Sequence, residues 1–206
     1  MSNKVYTIGH SNHSMEKFLA LLFQHEITVV ADVRSHPFSR YNPHFNRASL
    51  QAELQNAGLG YVFLGQELGA RSEDQYCYFD GRIDYDRLAQ TKNFQVGLSR
   101  IAKGAKTHRI ALMCAEKDPL ICHRAILVSR HLEAQAISVE HILEDGQIES
   151  HNAALNRLRK ELGFPERDLF RSREEIIEDA YEQRGKCIAY QQSLSIEEVE
   201  EGEAQE

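Results

Sequence analysis

The sequence has no long hydrophobic run. Its longest apolar segments, such as 27–31 and 125–128, fall far short of the roughly 20 residues that a helix needs to cross a bilayer. At the N-terminus, no basic region precedes an apolar stretch, and Val5–Ile8 already resembles a strand. A secretion signal combines those two features. We therefore expect a cytoplasmic protein with no membrane partner.

Cysteine is scarce and irregularly spaced. The chain has four cysteines, which are Cys77, Cys114, Cys122 and Cys187. In a chain without a sign of export, this pattern predicts reduced thiols rather than a disulfide framework. A bridge between Cys114 and Cys122 is the less favoured alternative.

Positive charge is in the minority. The chain has 31 acidic and 24 basic residues, which gives a formal net charge of −7. Such a surface does not attract nucleic acid non-specifically, so a polyanionic partner needs a local site. Four arginines, Arg34, Arg40, Arg47 and Arg71, lie in one stretch with few acidic residues, whereas acidic residues dominate 197–206. We predict one domain over 1–192 and an acidic, disordered tail over 193–206.

The order of apolar patterns predicts an α/β fold. Strand-like segments lie near 5–8, 27–33, 61–64, 110–113 and 139–143. Helical patterns separate them, and the connections are too long for hairpins. This alternation predicts a single three-layer Rossmann-like domain, in which helices cover both faces of a mainly parallel sheet of about five strands. The C-terminus is predicted to be helical over 151–192, and 65–86 to be a loop-rich insertion or lid.

Polar residues follow the predicted strands where a ligand would bind. In an open parallel sheet, the binding crevice lies outside the carboxyl ends of the strands. The candidates that follow the first four strands are, in chain order, Gly9, His10, Ser11, Asp32, Arg34, Ser35, Arg40, Glu67, Cys114, Glu116, Cys122, His123 and Arg124. They meet at one edge only if the sheet is parallel.

The first two groups allow two interpretations each. Gly9-His10-Ser11 is either a turn that offers N–H groups and an imidazole to a ligand, or a plain turn with a hydrogen-bonded histidine. Alternation along a strand places Asp32 and Arg34 on one face. Their pair is either an oriented fork for a phosphate or a structural ion pair that fixes the following loop. Arg40 and its basic neighbours favour anion binding.

The third and fourth groups also leave alternatives open. Glu67 lies between two glycines four residues apart, in a turn that lacks the lysine of a phosphate-binding loop, and is a possible general base. A helix start at Cys122 favours a thiolate there, with Arg124 as a phosphate clamp. The arginine spacing of a phosphatase loop is not met. Buried structural thiols are one alternative, and zinc on Cys114, Cys122, His123 and His10 is another.

Together these segments resemble the domain-of-unknown-function family 488. The likeness rests on YTIGHS at 6–11, DVRSHPFSR at 32–40, the glycines within 61–69, MCAE at 113–116 and CHR at 122–124. The segment 184–190 is also similar to the end of such proteins. One departure is Ala70, where a further glycine is expected. The resemblance implies a compact bacterial or archaeal cytosolic α/β protein and brings no established activity.

The favoured hypothesis is an enzyme, a hydrolase or transferase, that acts on a phosphate-bearing substrate such as a nucleotide or a nucleic acid. The residues expected to bind it are Gly9, Ser11, Arg34, Ser35, Arg40 and Arg124. The residues expected to act in catalysis are Asp32, Glu67, Glu116, His10, His123 and Cys122. The alternatives are a non-catalytic module for a small anionic ligand or nucleic acid, and a thiol or metal protein centred on Cys114 and Cys122. No cofactor is predicted.

Overall fold

The computed structural model describes residues 4–192, which fold around a central sheet. The strands within this range are β1 (Lys4–Gly9), β2 (Val29–Asp32), β3 (Gly60–Phe63), β4 (Tyr78–Phe79), β5 (Arg82–Ile83), β6 (Ile110–Cys114), β7 (Ser138–Ile142) and β8 (Ile148–Ser150). The helices are α1 (Met15–Gln24), α2 (Arg47–Asn56), α3 (Gly65–Leu68), α4 (Tyr85–Gln90), α5 (Lys92–Gly104), α6 (Arg130–Ala134), α7 (His151–Glu161) and α8 (Arg173–Ile188). A π-helical segment, Arg124–Ser129, leads into α6.

The central sheet has six strands in the order β3-β2-β6-β1-β7-β8. The first five are parallel, and β8 runs antiparallel to β7. This confirms the predicted α/β class with a mainly parallel sheet. Because Gly9 pairs with Cys114 and Asp32 with Met113, the carboxyl ends of β1, β2 and β6 lie side by side.

Two apolar layers cover the sheet. Successive residues of β6 alternate between them, so Leu112 packs in the layer of α5 and Met113 in the layer of α1 and α2. This alternation follows from the two-residue period of a strand. A third cluster, which includes Leu120, Leu158 and Tyr181, holds α7 and α8 against the π-helical segment. The C-terminal helices therefore pack beside the carboxyl edge.

Side-chain caps mark the starts of helices α1 and α8. Ser14 is the N-cap of α1, and its side chain accepts a hydrogen bond from the backbone N–H of Lys17. Ser172 and Glu175 form a reciprocal capping box at the start of α8. Each cap satisfies N–H groups that a helix start leaves without an intrahelical partner.

The segment 65–86 contains more regular structure than the sequence predicts. It includes α3, the β4–β5 hairpin and the start of α4. Asp74 and Asp84 cap two of its short turns by accepting backbone hydrogen bonds. Elements of two to six residues are too short to show a hydrophobic period, which is why they read as a loop.

Two further expectations concern the chain ends and membranes. The predicted acidic tail, 193–206, lies outside the described residues. Among residues 4–192, the structure has no helix with the length and apolarity that crossing a membrane requires.

Candidate functional site

Gly9 brings the turn after β1 against the loop after β6. A Cβ atom at this position would lie 1.9 Å from the carbonyl oxygen of Glu116, so only glycine fits. Beyond it, the N–H of His10 donates to the carbonyl of Cys114 at 2.9 Å, and the N–H of Ser11 to that of Ala115 at 2.9 Å. The two loops are therefore held together by backbone contacts.

Asp32 and Arg34 form a buried ion pair at the end of β2. The guanidinium Nε and Nη2 donate to the two carboxylate oxygens at 2.9 and 2.7 Å. Nη2 also donates to the carbonyl of Phe45 at 2.8 Å, and Nη1 lies 3.1 Å from His10 Nε2. Tyr61 adds a hydrogen bond to Asp32 at 3.0 Å. The geometry thus corresponds to the structural pair that fixes the long loop. Of the five guanidinium N–H groups, one on Nη1 is left over within the described chain.

His10 belongs to the same network. Its Nδ1 lies 2.9 Å from the carbonyl of Ser11 and requires a hydrogen there, so Nε2 accepts from Arg34. Its ring stacks on Phe45 with centroids 4.4 Å apart. Burial, and the neighbouring charge of Arg34, lower the pKa of His10 to about 4. A neutral imidazole with both nitrogens engaged holds the loop and is poorly placed to move a substrate proton.

Two thiols and an imidazole meet where β6 ends. The Sγ atoms of Cys114 and Cys122 lie 3.8 and 3.9 Å from His123 Nδ1. His123 Nε2 is 3.0 Å from the carbonyl of Val33, to which it donates, and the N–H of Arg124 approaches Cys122 Sγ at 3.4 Å. All three side chains are buried.

The two thiols differ in acidity. Burial opposes ionisation of Cys122, but the hydrogen bond from Cys114 and the positive charges of Arg124 and His123 lower its pKa well below the ordinary value. The hydrogen bond to Cys122, together with burial, raises the pKa of Cys114. Burial lowers the pKa of His123, but its hydrogen bond and charge contact with Cys122 raise it overall. Of the two thiols, Cys122 is therefore the one that ionises more readily.

Glu116 faces this cluster from the loop after β6. Burial, followed by the nearby charge of Cys122, raises the pKa of its carboxyl group. Its Oε2 atom is buried and has no hydrogen-bond partner among residues 4–192. An oxygen in this state costs free energy unless something outside the chain satisfies it.

Arg124 is fully buried beneath the same loop. Its Nη1 donates to the carbonyl of Glu116 at 2.7 Å, and its Nη2 to that of Lys117 at 3.0 Å. These bonds fix the backbone that carries Glu116. Its Nε is buried and has no hydrogen-bond partner among residues 4–192. Because both terminal nitrogens of the expected phosphate clamp bond the loop, we assign Arg124 a positioning role.

A groove runs along this carboxyl edge and joins two cavities of about 290 and 580 Å³. We call it the edge groove. The two cavities share the residues Arg34, His36, Ala115 and Glu116. The first is also lined by Ser35, Arg71, Tyr85, Cys114, Cys122, His123 and Tyr190, and the second by His10, Ser11, Phe38 and Lys117.

Two candidates do not line the groove. Glu67 sits on α3 and forms an ion pair with Arg100 of α5, which is a structural position rather than that of a general base in the groove. Arg40 is exposed on the loop between β2 and α2. Arg40 does not line either cavity, although its neighbours Phe38 and Ser39 line the second.

Three groove residues were not singled out as site residues from the sequence. The guanidinium of Arg71 lies on the ring of Tyr190, 4.1 Å from its centroid. The backbone N–H of Arg71 donates to Ser35 Oγ at 3.1 Å. Tyr85 lines the groove from α4. Tyr190 follows α8 and comes from the far end of the chain. No periodic signal could have indicated these contacts, although the segment 184–190 was part of the family resemblance.

Comparison with known proteins gives one match. A family model described as domain of unknown function DUF488 matches residues 14–131, which is more than half of the chain. The matched region includes Arg34, Glu116 and the Cys114–Cys122–His123 cluster. No curated protein and no solved structure matches the chain.

Proposed function

Since the chain belongs to the DUF488 family, whose description assigns no activity, we propose from its site that it is a cytoplasmic enzyme acting on a phosphate-bearing substrate. The substrate class is a nucleotide or a nucleic acid, and the reaction is hydrolysis or group transfer in the edge groove. The observation that carries the proposal is Glu116, whose buried oxygen has no partner within the described chain and borders a groove that cations also line.

Arg71 is the residue we assign to the phosphate. It is exposed, and its guanidinium rests on Tyr190, which limits the orientations that it samples. An arginine held in this way loses less conformational entropy when it binds a phosphate. Arg34 lines both cavities, and we assign its remaining N–H to the same phosphate as a second donor.

Exposed aromatic rings near the groove favour a nucleobase on the same substrate. Phe38 lines the second cavity and is 69% exposed, and Tyr41, three residues on, is 94% exposed. Stacking of a base on such a ring contributes about 1–3 kcal/mol. Because the chain as a whole is acidic, this local site would bind its substrate without general affinity for nucleic acid.

Glu116 is the acid–base group of the proposal. General acid–base catalysis requires a carboxyl oxygen that the protein does not itself engage, within reach of the substrate. Asp32 fails this requirement because Arg34 and Tyr61 occupy both of its oxygens, and Glu67 fails it because it pairs with Arg100.

Turnover assays on matched variants test the assignment. We would incubate the protein with nucleotides, dinucleotides and short single-stranded DNA and RNA, and follow products by mass spectrometry. Glu116→Gln is expected to lower kcat by at least 100-fold, because acid–base groups typically contribute 10²–10⁴-fold. Glu67→Gln, the matched control, is expected to retain turnover.

Two results would contradict the proposal. Equal turnover by Glu116→Gln and wild type would remove the acid–base assignment. Binding without turnover of any member of the panel, unchanged in Glu116→Gln, would instead indicate a non-catalytic module that senses the same anions.

A further inference from the structure

We propose that Cys114, Cys122 and His123 bind a Zn²⁺ ion whose fourth coordination position opens to the edge groove. This inference concerns the chain's own side chains and does not depend on the substrate class proposed above.

The distances from His123 Nδ1 to the two sulfurs are close to those of a zinc site. Tetrahedral zinc with bonds of about 2.3 Å to sulfur and 2.0–2.1 Å to nitrogen places S and N about 3.6 Å apart, and two sulfurs about 3.8 Å apart. The S···N distances of His123 to the two cysteines are 3.8 and 3.9 Å, and all three donor atoms lie within 4.8 Å of one another. The two S···N distances are thus within a few tenths of an ångström of the zinc geometry.

The surroundings of the cluster match those of a metal ligand set. His123 donates from Nε2 to the carbonyl of Val33 at 3.0 Å, which directs its Nδ1 lone pair toward the two sulfurs. Metal-ligating histidines almost always use the second nitrogen in this way. The backbone N–H of Arg124, 3.4 Å from Cys122 Sγ, supports a ligating thiolate.

The donor types favour zinc, and an open position. Thiolate and imidazole ligands in a tetrahedral arrangement select zinc over the hard cations magnesium and calcium. Binding would release the proton of each thiol that is still protonated, which leaves two thiolates to balance the charge of Zn²⁺. Three protein ligands beside a cavity are typical of catalytic zinc sites, in which a water molecule takes the fourth position. Glu116 borders that position, so its unpartnered oxygen has a candidate partner in such a water molecule.

Metal analysis tests this site directly. The full chain, purified without a histidine tag, is expected to contain one equivalent of zinc by mass spectrometry. After removal of zinc by a chelator, titration with Co²⁺ is expected to give visible ligand-field bands of tetrahedral intensity, and a thiolate-to-cobalt charge-transfer band in the near ultraviolet.

Matched cysteine variants assign the ligands. Cys114→Ala and Cys122→Ala are each expected to lower zinc affinity by more than the roughly 10–100-fold typical of second-shell changes. Each is expected to remove about half of the charge-transfer intensity, since one thiolate of two is lost. Cys77→Ala, a buried thiol in the apolar core, and Cys187→Ala, an exposed one, are expected to bind zinc like the wild type.

Thermal unfolding guards against variants that merely misfold. Added zinc is expected to raise the Tm of the chelator-treated wild type by mass action, and not that of a folded Cys122→Ala variant. Failure of the wild type to bind zinc or cobalt stoichiometrically would overturn the site. Zinc affinity in Cys114→Ala and Cys122→Ala equal to that of the wild type would overturn it too.

The outcomes separate this inference from the proposed function. Turnover that Glu116→Gln abolishes, in a protein that binds no zinc, would end the metal site and leave the enzyme. Stoichiometric zinc that depends on both cysteines, without turnover of any nucleotide or oligonucleotide, would establish the metal site and contradict the proposed substrate class.

Discussion

At the scale of single residues, the clearest distinction is between charged groups that hold the fold and those that remain available. Asp32 and Arg34 share a strand face, as the alternation of side chains predicts, and they contact each other. The Arg34 guanidinium also bonds to the His10 ring and to the Phe45 carbonyl. These residues are 24 and 11 positions away from Arg34 in the sequence. A local pattern cannot indicate such partners, so the sequence could not decide between a clamp and a structural pair.

The buried pair makes a stability prediction. Asp32→Asn is expected to lower the free energy of unfolding by about 3–5 kcal/mol, because it leaves the guanidinium of Arg34 buried without its counter-charge. Urea denaturation measures the change. Glu182→Gln, which removes an exposed pair with Lys186, should cost no more than about 1 kcal/mol. A loss below 1 kcal/mol in Asp32→Asn would mean that the pair is not structural.

Gly9 makes a second prediction at this scale. Gly9→Ala forces a Cβ atom against the Glu116 carbonyl, so we expect a loss of about 1–3 kcal/mol or more in unfolding free energy. Gly185→Ala is the control, because its Cβ would meet Tyr85 at an ordinary 3.4 Å. On helix α8 it should be neutral or stabilising by up to about 1 kcal/mol. Equal stability of the two variants would show that the β1 turn can move away from the loop.

At the scale of elements, a buried hydrogen-bonded chain joins the sheet to the C-terminal helices. Thr7 of β1 lies 2.8 Å from His141 of β7, which lies 3.0 Å from His151 of α7. His151 in turn lies 2.6 Å from the hydroxyl of Tyr181 on α8. With both imidazoles neutral, every contact can pair one donor with one acceptor. This chain ties α7 and α8 to the sheet.

From the two buried histidines of this hydrogen-bonded series, we predict that the protein loses stability in acid. Burial lowers the pKa of His151 from 6.5 to about 4, and burial together with the charge of His151 lowers that of His141 well below 6.5. Because the unfolded chain then binds more protons, this stability is complete above about pH 6.5 and is lost as pH falls toward 4.

Denaturation at several pH values tests this dependence. His151→Gln is expected to reduce the slope of unfolding free energy against pH by about 1.4 kcal/mol per pH unit near pH 5, which corresponds to one proton. His108→Gln, at an exposed histidine, should leave the slope unchanged. Identical slopes in wild type and His151→Gln would contradict the burial of a neutral imidazole.

Element prediction succeeded where patterns are long. The five parallel strands stand out in the sequence as apolar segments of four to seven residues, and the structure has them close to the predicted positions. The strand β8 was missed because it has only three residues. The turn before it holds Asp145-Gly146, with Gly146 at φ 84°, and this hairpin signal could have revealed it. The elements of 65–86 depend on tertiary contacts and gave no such signal.

At the scale of the whole molecule, the edge groove combines distant parts of the chain. Three strand ends supply its floor, and Tyr190, beyond the region that the family model matches, supplies a wall on which Arg71 rests. The sequence placed the strand-end residues together because parallel strands share an edge. It could not supply Tyr190, since the return of the C-terminal segment depends on how α8 packs.

Thermal unfolding against a panel of nucleotides, sugar phosphates and short single-stranded oligonucleotides tests the central claim that the edge groove binds a phosphate-bearing substrate. A ligand at about 100 times its Kd stabilises the protein by roughly 2.7 kcal/mol, which at this chain length is a shift of several degrees in Tm. We predict such a shift with nucleotides or oligonucleotides in the wild type and in Arg173→Gln, whose arginine bonds to Asn152 and Asn156 outside the groove. Arg71→Gln should lose most of it. A panel that leaves the wild type unshifted, or a shift that Arg71→Gln retains in full, would contradict the claim.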